Sequence, residues 1–163
     1  MTDFEKILTP EERIALSLRA IYDERGFSHY RMSKFEEYDL YSVNKDFLVS
    51  DNIITFTDTD GRLLALKPDV TLSIIKNLKL TGEGARKLYD DENVYRVSAQ
   101  TGSFREIRQT GVECIGEIGT AQMAEVLGLA VKSLDALAKE SVLEISHIDI
   151  VSGMLDEIGR AHV

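Results

Sequence analysis

The sequence has a single cysteine, Cys114, so no disulfide can form within the chain. That suits a reducing compartment, and a cytoplasmic location is the expectation. No stretch approaches the roughly 18 consecutive apolar residues that a membrane span needs. The opening MTDFEKILTPEER is charged where a secretory signal would carry an apolar core, so no membrane association is expected. His29, His147 and His162 do not fall at metal-ligand spacing with one another or with Cys114, and no metal is expected. Gly82-Glu83-Gly84 lacks the Gly-Lys-Ser/Thr ending of a phosphate-binding loop. Ser17, Ser33 and the other serines show no nucleophile-elbow pattern. No cofactor and no catalytic residue follow from these patterns.

Basic residues are also in the minority. Lysine and arginine number 19 against 28 aspartates and glutamates, a formal net charge of -9. Affinity for nucleic acid rests on cationic neutralisation of phosphates, so on charge alone no nucleic-acid partner is expected. The cations are scattered, apart from a modest cluster around Arg105 and Arg108.

What is present describes a folded chain. A single domain spanning residues 1–163 is expected, since 44% hydrophobic residues supply a core. Thr9-Pro10-Glu11-Glu12 reads as a capped helix start, with Glu12 completing a capping box and Pro10 at the first helical position. Ile14, Leu18, Ile21 and Tyr22 recur at helical spacing, and Gly26 is a good stop, so a helix is predicted over 10–25. Residues 27–35 look extended, and 36–48 fit neither pattern clearly. The runs IITFT and RLLAL around Asp58-Thr59-Asp60-Gly61 predict a hairpin. A short helix begins near Asp69 or Thr71. Strands are predicted over 86–89, 94–98 and 105–115. A helix capped by Thr120 follows, with Met123, Val126, Leu127, Ala130, Leu134 and Leu137 on one face. A late strand is expected over 143–150, then a short helix or tail over 153–159. Together these predict an α+β fold with a largely antiparallel sheet flanked by helices.

The segment VYRVSAQTGSFREIRQTGVECIGE carries the most chemistry. Alternation on the strand puts Arg105, Ile107, Gln109, Gly111 and Glu113 on one face. Glu106, Arg108, Thr110, Val112 and Cys114 take the other, where Cys114 reads as a structural thiol. A face holding a cation, an amide and a carboxylate, with Gly111 leaving space, suits a small zwitterionic ligand. It equally suits an exposed sheet face crossed by ion pairs. In Lys67-Pro68-Asp69-Val70-Thr71, a carboxylate and a hydroxyl at a strand-to-helix junction suit an ammonium group or a helix cap.

Tyr95-Arg96, a variable loop, then Arg105-Glu106-x-x-Gln109-x-Gly111-x-Glu113-x-x-Gly116 resembles motif 2 of histidyl-tRNA synthetases and their paralogues. FTDTDGRLLALKPDVT resembles that family's hairpin and its Leu-Arg-Pro-(Glu/Asp)-x-Thr element. The opening helix, ending in Gly26-Phe27, resembles motif 1. The resemblance implies a class II aminoacyl-tRNA-synthetase-like core and a homodimer through helix 10–25. It implies histidine as a ligand, with Asp69, Thr71 and Gln109 at its amino group and Glu113 at or near its imidazole. Arg96 would match the arginine that meets an α-phosphate, and Arg105 is a second phosphate-binding candidate.

Departures separate the paralogues. Synthetases follow the motif 2 arginine with x-Glu, which reads adenine; here the series is Arg96-Val97-Ser98. Lys67 replaces the usual arginine, and Asp69 stands where synthetases usually carry glutamate. The later Arg-Gly-x-Asp-Tyr-like run and the glycine-rich motif 3 are absent, so the chain is expected to correspond to the N-terminal portion of such a core. The expected function is that of the non-catalytic regulatory subunit of ATP phosphoribosyltransferase. Its partner would be the short-form catalytic subunit, in the first step of histidine biosynthesis. The alternatives are a fragment of a histidyl-tRNA synthetase catalytic domain and an interaction module built on the motif 1 helix. In the last case, charges at Ile14 and Leu18 should make the chain monomeric.

Overall fold

The computed structural model describes residues 6–44, 46, 48, 53–78, 84–146 and 148–160. The first helix, α1 (Pro10–Glu24), begins as the sequence predicts. Thr9 Oγ1 accepts from the Glu12 N–H at 3.2 Å, and Glu12 Oε2 accepts from the Thr9 N–H at 2.8 Å. Those two bonds satisfy donors that a helix start leaves without partners. Gly26, at φ +75°, reverses the chain so that the Phe27 N–H returns to the Tyr22 carbonyl at 3.1 Å.

That reversal sends the chain into β1 (Ser28–His29), which runs parallel to β5 (Ala85–Val97). β5 pairs antiparallel with β6 (Phe104–Gly116) along its whole length, giving the order β1-β5-β6. A second, smaller sheet has the order β2-β4-β3, from Phe35–Glu37, Leu63–Leu66 and Thr55–Thr57, all antiparallel. Its hairpin turn is tied by Asp58, whose Oδ1 accepts from the Asp60 N–H at 2.9 Å and the Arg62 N–H at 2.8 Å. Between β2 and β3 lies a short helix, α2 (Tyr38–Ser42), inside the stretch that periodicity left open.

Lys67 joins the two sheets. Its N–H donates to the Lys34 carbonyl at 3.0 Å, and its carbonyl accepts from the Tyr95 N–H at 2.8 Å. The chain then enters α3 (Thr71–Asn77), which lies against one face of the β5–β6 ladder. Val70, Ile74 and Val94 form a buried cluster there, with Leu88 and Ile115 packed onto it. The opposite face is covered by α1 and α4 (Thr120–Leu137), where Leu18, Tyr22, Phe27, Tyr89 and Leu129 form a second core. A third cluster, of Tyr41, Ala65 and Leu72, fills the small sheet.

Four expectations change. β5 is one strand of 13 residues, where two pieces over 86–89 and 94–98 were expected. The acidic run Asp90-Asp91-Glu92 has low strand propensity, but pairing with β6 at every position overrides it. α4 is preceded by Gly119, whose N–H donates to Gln122 Oε1 at 3.0 Å; Thr120 is the first helical residue and not the cap. On that helix Leu129 is the buried residue, while Met123, Leu127 and Leu137 of the expected face are exposed. Among the described residues of 143–150 no strand forms. Residues 141–146 are irregular, and α5 (Ile148–Arg160) follows. Among the described residues nothing pairs with this segment, and a strand without a neighbour leaves its backbone bonds unmade. Ile148, Val151 and Leu155 share a helical stripe instead. Among the described residues, no helix is long and apolar enough to cross a membrane.

Leu18 also has a different role from the one the motif 1 resemblance suggests. It is 5% exposed and belongs to the core beneath α1, so a charge there would disrupt folding before it reported on a dimer. Leu16, exposed on the outer side of α1, is the position that tests an interface.

Candidate functional site

The strand pairing fixes which side chains meet. Arg96 lies opposite Arg105, Glu92 opposite Gln109, Asp90 opposite Gly111 and Leu88 opposite Glu113. Alternation places these on the face that α3 approaches. The expected grouping of Arg105, Gln109, Gly111 and Glu113 is therefore the observed one.

α3 brings the second element of the site. Asp69 Oδ1 accepts from the Leu72 N–H at 3.1 Å, so this carboxylate serves the helix start. Thr71 does not cap. Its hydroxyl crosses to β6 and donates to Glu113 Oε1 at 2.5 Å. One oxygen of Asp69 thus orders the helix, and the helix presents Thr71 to the sheet. The site residues Thr71 and Glu113 are in direct contact, though far apart in sequence.

Arg96 joins the other half. Its Nε donates to the Pro68 carbonyl at 3.0 Å, and its Nη2 donates to Gln109 Oε1 at 3.5 Å. The first bond ties the guanidinium to the segment before α3; the second is long and reaches the Gln109 side chain. Arg105 is exposed and stands across the ladder from Arg96. Two like charges directly opposite repel, and an anion between them would relieve that repulsion. Arg96, Ser98, Gln100 and Arg105 line a depression at this end of the ladder.

Ser98 has a local structural role. Its N–H donates to the Ser103 carbonyl at 2.9 Å, its carbonyl accepts from the Gly102 N–H at 2.8 Å, and its Oγ accepts from the Thr101 N–H at 3.4 Å. Ser98 therefore closes the β5–β6 loop and offers no carboxylate to a ligand.

Sequence reasoning missed the charges beneath this face. Lys67 is fully buried, and its Nζ lies 3.3 Å from Glu92 Oε2. Asp90 is 2% exposed, and its Oδ2 has no hydrogen-bond partner. Burial, with Glu113 nearby, raises the Asp90 carboxyl to about 7. The space that Gly111 was expected to leave for a ligand is the space beside Asp90. A Cβ on Gly111 would sit 3.4 Å from Asp90 Oδ2. The signal was present in the alternation of Asp90, Asp91 and Glu92, but reading it required one continuous strand.

On the other face of the ladder the acid is fully partnered, although His29 Nε2, stacked beside Tyr89 there, is buried without a partner. Asp91 accepts from Arg108 Nε and Nη2, each at 2.8 Å, and from Thr110 Oγ1 at 3.2 Å. The Arg108 contact holds the Asp91 carboxyl below its ordinary range. Cys114 on this face is half-buried, and burial raises its thiol.

Comparison with known proteins bears on the family and the fold. The family described as Histidyl-tRNA synthetase matches residues 6–162. A histidine–tRNA ligase of Methanococcus vannielii is 29% identical over 88% of this chain and 35% of its own length. An ATP phosphoribosyltransferase regulatory subunit of Thermoanaerobacter pseudethanolicus is 30% identical over 91% of this chain and 41% of its own length. A protein of the same description from Caldanaerobacter subterraneus is 34% identical over 84% of this chain and 36% of its own length. The chain thus spans well under half the length of these relatives.

Among solved structures, the ATP phosphoribosyl transferase (HisG:HisZ) complex from Thermotoga maritima superposes with a TM-score of 0.58 at 21% identity. That match covers 83% of this chain and 42% of the other. A histidine–tRNA ligase subunit from Alicyclobacillus acidocaldarius gives 0.63 at 24% identity, over 83% of this chain and 40% of the other. These likenesses establish the α+β, class II synthetase-like fold with its largely antiparallel sheet. The chain belongs to the histidyl-tRNA synthetase family.

Proposed function

We propose that the chain is the N-terminal portion of a histidyl-tRNA-synthetase-like core that acts as the non-catalytic regulatory subunit of ATP phosphoribosyltransferase. In this reading it partners the short-form catalytic subunit in the cytoplasm. It is required for activity and for histidine feedback in the first step of histidine biosynthesis. The observation that carries the reading is Ser98. Its backbone and hydroxyl serve the β5–β6 loop at the position where resemblance requires an adenine-binding carboxylate. Without that acceptor the adenine amino group has no partner, while the floor of Asp69, Thr71, Gln109 and Glu113 keeps the groups an amino acid needs. The regulatory subunits of Thermoanaerobacter and Caldanaerobacter, 30% and 34% identical, support it.

In this proposal histidine binds with its ammonium near Asp69, Thr71 and Gln109 and its imidazole near Glu113. Arg96 and Arg105 receive an anionic group. Histidine controls the catalytic partner through a difference in affinity between assembly states. Self-association through α1 is part of the proposal.

The test mixes the chain with a short-form catalytic subunit and measures complex formation, rate and histidine inhibition. A complex whose rate falls with histidine is expected. No complex and no change in rate would reject the role. A second reading, a fragment of a histidyl-tRNA synthetase, draws on the Methanococcus relative at 29% identity. It predicts histidine-dependent ATP–pyrophosphate exchange by a family-length version carrying Ser98.

A further inference from the structure

Asp90 plays no part in the site as described above, yet it lies directly beneath it. It is opposite Gly111 on the ladder, between the Glu92–Gln109 rung and the Leu88–Glu113 rung. Its Oδ2 is buried without a partner and lies on the side toward the absent Gly111 side chain. A buried carboxylate with an unfilled acceptor is costly when charged and far less so when protonated.

The surrounding charges do not compensate it. Glu113 faces it from β6, Glu92 and Asp91 flank it on β5, and Lys67 approaches from the segment before α3. Lys67 is the cation among these, and its Nζ is engaged 3.3 Å from Glu92. Three of the four groups thus repel charge on Asp90, and the fourth is already paired.

We propose that Asp90 makes this floor selective for a positively charged ligand and gives up its proton when that ligand arrives. The inference rests on the reading of this face as a histidine-like site and adds the ligand's charge class: an ammonium or imidazolium held over Gln109 and Glu113. The incoming cation supplies the compensation that the fold withholds. The Asp90 O–H bond breaks, its proton passes to solvent, and the electron pair stays on the carboxylate. Nothing is oxidised or reduced. A neutral or anionic ligand of the same shape gains nothing from the exchange.

The exchange fits the acid's position near neutrality, since about half of a group raised to about 7 is protonated at pH 7. Calorimetric titration of the 163-residue chain with histidine at pH 7, in buffers of different ionisation heat, counts the protons released. Wild type should release roughly half a proton more per histidine than Asp90→Asn. The variant should bind histidine about two- to tenfold more weakly at pH 8.

Equal proton release in both proteins overturns the inference and leaves the histidine site standing. No binding by wild type overturns both. Binding by wild type that is lost in Glu113→Gln supports the site independently of Asp90. If Asp90→Asn does not fold, carboxyl-carbon NMR of wild type decides the matter. The Asp90 midpoint should fall by about one pH unit or more on saturation with histidine; an unmoved midpoint rejects the exchange.

Discussion

Asp90 and Asp91 are consecutive in sequence and sit on opposite faces of the same ladder. Asp91 faces α1 and is held by Arg108 and Thr110, with Arg19 at 4.0 Å. Asp90 faces α3 and has a buried oxygen with no partner. Their carboxyls move in opposite directions, Asp91 down through its bond to Arg108 and Asp90 up through burial. The face under α1 and α4 pairs its acid, and its one buried unpartnered polar atom among the described residues is the neutral-prone His29 Nε2 beside Tyr89. The face under α3 is complete in its apolar cluster and incomplete in its charge. An incomplete polar face costs stability and provides a place for a ligand.

The comparison breaks most visibly at Leu18. Leu18→Asp places a charge in the core of Tyr22, Phe27, Tyr89 and Leu129. A loss of about 3–5 kcal/mol is expected, read as the collapse of a cooperative melt. Leu16→Asp, on the outer side of the same helix, should leave the melt within about 0.5 kcal/mol and act on self-association alone. An unchanged mass in solution for that variant rejects α1 as the dimer interface.

Asp91→Ala comes next. It removes acceptors from Arg108 and Thr110, and Arg108 is 45% exposed, so water screens much of the pair. A destabilisation of about 1–2 kcal/mol is expected in denaturant titrations near pH 7. Its carboxyl is held low, so the stability it supplies is present above the ordinary carboxylate range and lost as pH falls. The cost of the substitution should shrink in acid; a constant cost would assign it to packing.

Asp90→Asn should do the reverse. A carboxyl raised in the fold contributes stability at low pH that is lost as pH rises through about 7. The variant should therefore be more stable than wild type by about 1–2 kcal/mol at pH 8 and show no gain at pH 4. A variant less stable than wild type at pH 8 would mean that Asp90 has a partner in the fold.

The smallest expected effect lies outside both faces. Thr9→Ala removes one arm of the capping box and should lower stability by about 1 kcal/mol, measured by thermal melting.

The parts of the molecule legible in sequence are those governed by local chemistry. The capping box of α1, the Gly26 stop, the Asp58 hairpin and the alternation on β6 depend on neighbouring residues, and each forms as expected. The contact between Thr71 and Glu113 was half legible: both residues were expected in the site, but their direct bond is a tertiary fact. β5 was expected as two pieces because Asp90-Asp91-Glu92 has low strand propensity, and only the partner strand keeps it extended. With the strand broken, Asp90 could not be assigned a face. The strand expected over 143–150 does not form among the described residues, because an apolar run says nothing about whether a neighbouring strand exists to pair with it.

The central claim is that the face under α3 is a ligand floor assembled from two distant segments. Amide NMR of the labelled chain during titration with histidine tests it most directly. The account predicts saturable shifts at Asp69, Thr71, Gln109 and Glu113, with Asp90 among them and Asp91 unmoved. Shifts confined to other surfaces, or none at millimolar histidine, would contradict it.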